Sequence, residues 1–139
     1  MKRQPRNLLL ALGLAGAMST AAAAGLQGTL RVTVPFSFHA GQVVLPAGQY
    51  SIEQLSTPWT LLIRGKTTSN LIYVRAIPAQ KDQREPSSRL VFNKYGDHYF
   101  LAQIWSGGTR MGAQLPGSKR EREMSTSLHP DRVVLALGK

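Results

Sequence analysis

The chain has 139 residues, none of them cysteine, and a formal charge of +10, with 17 lysines and arginines against 7 acidic residues. Without thiols there are no disulfide staples, no thiolate metal site and no lipoprotein anchor, so the fold must be held by its core alone. A charge of this size favours polyanionic partners, but it constrains solubility and non-specific contacts rather than fold.

Lys2, Arg3 and Arg6 precede an apolar run from Leu8 to Met18, which ends in the small-residue stretch Ser19 to Gly25. These are the three regions of a secretory signal peptide. A membrane-spanning helix needs about 20 apolar residues, and this core is barely half as long. We therefore expect residues 1–24 to be a signal peptide cleaved after Ala24, residues 25–139 to form one domain, and no transmembrane segment to remain after cleavage. The 115 residues left can bury a core without staples. Their formal charge is +7, because Lys2, Arg3 and Arg6 leave while all seven acidic residues stay. The expected location is the periplasm or the exterior.

Leu30, Val32, Val34, Phe36 and Phe38 alternate with Thr29, Arg31, Thr33, Pro35, Ser37 and His39, which predicts one long half-buried strand with Phe36 in the core. Pro35 has no N–H to donate, so the strand should be an edge there, or bent or bulged. After Gln42 to Leu45, the sequence Pro46-Ala47-Gly48 predicts a hairpin into Gln49 to Leu55. Trp59, Leu61 and Ile63 share a face of the next strand. Asn70 to Ile77 is apolar on both faces apart from Arg75, as in an interior strand, and Pro78 should end it. Ala79 to Ser88 reads as the longest loop.

Arg89 to Trp105 forms a second hairpin turning at Gly96-Asp97. Ser106-Gly107-Gly108 breaks it, and Arg110 to Leu115 continues as a weak strand or loop. Ser118 and Glu121 have capping-box spacing, the serine hydroxyl accepting from the backbone N–H three residues on and the glutamate reaching back, which predicts a short helix from Lys119 to about Ser125. Arg132 to Leu137 is a closing strand. The fold class is all-β: an antiparallel β-sandwich or flattened β-barrel of about seven strands with one short helix in the C-terminal half.

Val34-Pro-Phe-Ser-Phe38, Leu45-Pro-Ala-Gly-Gln-Tyr50, Leu90-Val-Phe92, Tyr95-Gly-Asp97, Tyr99-Phe-Leu101 and Leu115-Pro-Gly-Ser-Lys-Arg-Glu-Arg-Glu123 together span nearly all of the expected mature chain. In order and spacing these blocks resemble a group of short secreted proteins of unknown function from environmental bacteria. The resemblance implies export and brings no catalytic residue with it.

The sequence names no reaction. His39, His98 and His129 are the only histidines, and none has a second ligand at metal-binding spacing within one element. Ser106 lacks the Gly-x-Ser-x-Gly context of a nucleophile elbow, and the carboxylates lie in polar stretches rather than as a facing pair. Gly65-Lys66-Thr67 lacks the upstream glycine of a phosphate loop. We expect no cofactor and a non-catalytic role in binding or cell-envelope structure. The alternative is a small extracytoplasmic hydrolase or metal-dependent enzyme using His98 or His39.

The candidate binding residues are Arg110, Lys119, Arg120 and Arg122, the densest positive stretch of the expected mature chain. The partner they point to is lipopolysaccharide, an acidic glycan or another envelope protein; no motif for specific nucleic-acid recognition is present. Glu121 and Glu123 dilute that positive field, which favours a solvated helix or a structural clasp laying basic side-chain stems over the sheet. Tyr95, Tyr99, Trp59 and Trp105 could form a stacking surface for sugars or bases, but aromatics of a small sandwich more often fill its core.

Overall fold

A computed structural model describes residue 26 and residues 28–55, 59–67, 70–84 and 86–137. The expected signal peptide, residues 1–24, lies outside the described residues. In chain order the strands are β1 (Leu30–Val34), β2 (Phe38–Ala40), β3 (Val43–Leu45), β4 (Gly48–Gln54), β5 (Thr60–Arg64), β6 (Leu71–Arg75) and β7 (Ile77–Gln80). They are followed by β8 (Arg89–Tyr95), β9 (His98–Trp105), β10 (Met111–Gln114), the helix α1 (Lys119–Ser125) and β11 (Asp131–Ala136).

The strands form a two-sheet sandwich. Sheet A has the order β1-β4-β5-β6, and sheet B the order β11-β8-β9-β10-β7. β2 and β3 form a hairpin that joins sheet B through one parallel pairing, His39 with Phe100. Every other pairing is antiparallel. The inward residues of alternate positions meet between the sheets: Val32, Ile52 and Ile63 from sheet A, and Leu90, Phe92 and Ile104 from sheet B.

Eleven strands stand among the described residues where about seven were expected, and two of the expected strands, from Leu30 and from Asn70, change sheets partway. The alternating run from Leu30 keeps its inward parity, with Val34 and Phe38 both buried, but it bends at residues 35–36 and enters sheet B as β2. Pro35 falls where the ladder must stop, so its missing N–H costs no pairing. Phe36 lies in this crossing and is half-buried rather than in the core.

The expected hairpin at Pro46-Ala47-Gly48 is a corner instead, since β3 belongs to sheet B and β4 pairs with β1 and β5. The Tyr50 hydroxyl donates to the Pro46 carbonyl at 2.6 Å and pins that corner. Asn70 to Ile77 is likewise divided. β6 is the outer strand of sheet A with Tyr73 exposed, so it is no interior strand. Pro78 falls within β7, the outer strand of sheet B, where a residue without an N–H is tolerated. The loop expected from Ala79 therefore begins at Lys81, whose N–H donates to the Arg110 carbonyl at 2.9 Å.

The second hairpin forms as the sequence implies. Tyr95 pairs with His98, leaving Gly96-Asp97 as a two-residue turn, and Gly96 has the positive φ of 59° that the first position of a type II′ turn requires. Trp105 is buried on the face of sheet B away from the core, with its ring lying so close across β10 that a Cβ at position 112 would meet it at 2.5 Å, hence Gly112. The Lys81 amine covers the same ring at 4.4 Å from its centroid. Trp59 and Tyr99 are half-buried and pack against the core from its margins.

Candidate functional site

The four basic residues singled out in the sequence separate into two places. Lys119, Arg120 and Arg122 are exposed together on α1, whereas Arg110 precedes β10 and the helix follows it, so the length of that strand lies between them. Near Arg110 the Arg84 guanidinium donates to the Gly108 carbonyl at 3.0 Å.

Glu121, not a basic stem, fastens α1 to sheet B. Ser118 caps the helix as its spacing implies, its hydroxyl accepting from the Glu121 N–H at 3.2 Å. The Glu121 carboxylate, however, turns away from the Ser118 N–H. Its Oε2 accepts from Asn93 Nδ2 at 3.0 Å and from the Tyr95 hydroxyl at 3.1 Å, both on β8. Burial raises the Tyr95 hydroxyl above its ordinary value of 10.0, and the charge of Glu121 and the hydrogen bond to it act in the same direction.

Beside this clasp the structure brings two histidines together. The His39 ring stacks on Phe100 at 4.1 Å and lies 5.7 Å from the His98 ring. Burial pushes His39 below its ordinary 6.5, His98 and Arg120 add to the effect, and Glu121 opposes it. Among the described residues no group of three or more histidine and acidic side chains can hold a metal ion. His129 stands apart, exposed after the helix.

A second cluster of positive charge is on sheet A. Strand pairing sets Arg31 of β1 opposite Ser51 of β4, and Ser51 opposite Arg64 of β5. All three belong to the outward set, since their neighbours Val32, Ile52 and Ile63 face the core. With strands about 4.8 Å apart, the two arginine backbones stand about 10 Å from one another, one strand between them. Lys66 follows at the end of β5, and Thr33 and Gln49 form the next cross-strand pair. Together they line a groove of about 620 Å³ whose apolar side is supplied by β11 through Leu135 and Leu137.

Among the described residues no carboxylate lines the groove. Glu53, two residues along β4, accepts from the Thr29 hydroxyl at 3.4 Å. Among the described residues the side chains of Arg31, Arg64 and Lys66 have no hydrogen-bond or ion-pair partner. Sequence reasoning missed this set because its members are 33 and 2 residues apart along the chain. The available signal was the outward parity of Arg31 and Arg64, which becomes a site only once β4 is placed between β1 and β5.

No protein-family model, no curated protein and no solved structure matches the chain. Among the described residues no helix is long and apolar enough to cross a membrane.

Proposed function

We propose that this chain is an exported, non-catalytic binding protein of the cell envelope, and that it takes an anionic ligand, lipopolysaccharide phosphate or an acidic glycan, on the outer face of sheet A. The observation that carries this reading is the row Arg31, Ser51, Arg64 with Lys66 beside it, lining a groove that holds no carboxylate among the described residues. Guanidinium groups present fixed forks of N–H donors that match phosphate and carboxylate oxygens, and the Ser51 hydroxyl and Gln49 amide add neutral contacts between and beside them. Like charges held about 10 Å apart, close to the screening length of physiological salt, favour a ligand with several anionic groups over a single ion. The signal-peptide pattern at Lys2 to Gly25 and the net positive charge agree with an envelope location.

The test is retention of the purified protein on immobilised lipopolysaccharide and on an acidic polysaccharide, eluted with increasing salt. Replacing Arg31, Arg64 and Lys66 with glutamine should weaken binding by about tenfold or more and lower the eluting salt concentration. The glutamine triple variant of Lys119, Arg120 and Arg122 should keep most of the binding. Equal losses in the two triples would mean that total charge, not the groove, makes the interaction.

A further inference from the structure

The outer face of sheet B holds a smaller and chemically different recess. Leu90, Phe92, Ile104 and Ala113 face the core, so their neighbours Asn93, Gln103 and Gln114 project outward. Gln103 pairs with Gln114 across β9 and β10, and Arg132 pairs with Asn93 across β11 and β8. These four polar side chains and Glu121 of α1 line a recess of about 200 Å³, together with the buried Val91 and Leu115.

Part of this polar lining is already committed. Gln103 Oε1 accepts from Trp105 Nε1 at 3.1 Å and from the Arg132 guanidinium at 3.2 Å, which fixes the amide and leaves its nitrogen, a double donor, unused among the described residues. Glu121 is only 9% exposed, and its Oε2 carries both clasp hydrogen bonds, which leaves its Oε1 as an acceptor for a ligand. The Gln114 amide likewise has no partner among the described residues. The recess therefore presents a fixed donor, an acceptor and an adaptable amide.

We propose that this recess binds a single neutral sugar ring through a pair of adjacent hydroxyls. Each hydroxyl both donates and accepts, so two neighbouring hydroxyls satisfy the Glu121 oxygen and the Gln103 and Gln114 amides together. Size selects one ring: about 200 Å³ falls below the roughly 300–1,000 Å³ of sites for larger ligands. Charge favours a neutral ligand, because among the described residues the lining carries one carboxylate, Glu121, and one guanidinium, Arg132, which balance. The site shares no residue with the groove on sheet A and stands or falls independently of it.

The experiment is a titration of ¹⁵N-labelled protein with glucose, galactose and mannose, and with glucuronate and glycine as charged comparators, followed at the side-chain amides of Asn93, Gln103 and Gln114. At least one neutral sugar should give saturable shifts at these amides, with glucuronate weaker and glycine without effect. Gln114 is exposed, so Gln114→Leu should leave the thermal midpoint unchanged and weaken that sugar about tenfold, the loss expected for about one hydrogen bond. Gln114→Glu, which keeps the shape but removes the donors, should do the same and serves if the leucine variant does not fold. The proposal is overturned if none of the three sugars saturates, if both folded variants bind undiminished, or if glucuronate or glycine binds more tightly than every neutral sugar.

Discussion

Phe36 and Phe38 stand two positions apart on the same side of the alternating run, yet their truncation should cost different amounts. Phe38 is 2% exposed and lies edge-on to Tyr50 at 5.4 Å and to Phe92 at 5.7 Å, between the two sheets. Phe38→Ala leaves a cavity there and should destabilise by about 3 to 5 kcal/mol. Phe36 is stacked on Tyr99 at 3.7 Å and edge-on to Phe92 at 5.0 Å, but it sits at the crossing where water can fill part of the space it leaves. Phe36→Ala should therefore cost less, about 1 to 2 kcal/mol. Ser37 between them is exposed, and Ser37→Ala should stay within about 0.5 kcal/mol. Urea midpoints of the three variants give the order, and a Phe36→Ala loss equal to that of Phe38→Ala would contradict the half-buried placement. Inward parity was legible at these positions because a period of two is a local property of extended backbone.

At the scale of elements, parity says nothing about which sheet an inward residue serves. Val34 and Phe38 follow one pattern and belong to different sheets, and the same holds on either side of Ala76. The sequence marks the break at Pro35 but not the partner strand beyond it, because pairing depends on segments dozens of residues away. The helix shows the same division. Ser118 and Glu121 place its start from local spacing alone, but the glutamate side chain is claimed by Asn93 and Tyr95, 28 and 26 residues upstream.

That choice makes an acidic residue the fastening of a basic segment, which reverses the expected roles within the helix. Glu121→Ala should cost about 2 to 3 kcal/mol, because it strands the buried Tyr95 hydroxyl as well as losing its own contacts. Replacing exposed Lys119, Arg120 and Arg122 with glutamine should change stability by no more than about 1 kcal/mol. Thermal denaturation of the two variants measures the contrast. If the basic triple is the more damaging, their stems rather than Glu121 hold the helix.

For the whole molecule, the groups with displaced proton affinities bracket a range of pH in which the sandwich should be most stable. His39 titrates below 6.5 in the folded chain, so as the pH falls through 6.5 the unfolded chain takes up the proton first and stability declines. That contribution is complete above 6.5 and is lost as the pH falls toward the folded value. Tyr50 and Tyr95 are both raised above 10.0 by burial, so with rising pH the unfolded chain releases their protons first, and stability declines again beyond 10.0. Each hydroxyl is a donor in the fold, Tyr50 to the Pro46 carbonyl and Tyr95 to Glu121, and deprotonation removes the donor at the corner between the sheets and at the helix clasp. Urea midpoints measured against pH should therefore form a plateau between 6.5 and 10.0 with a decline on each side. His39→Gln should flatten the acid side just below 6.5, before carboxylates begin to titrate, and Tyr95→Phe should reduce the slope on the alkaline side while Tyr50 keeps part of it. An acid limb unchanged in His39→Gln would place the sensitive group elsewhere than on the ring stacked against Phe100.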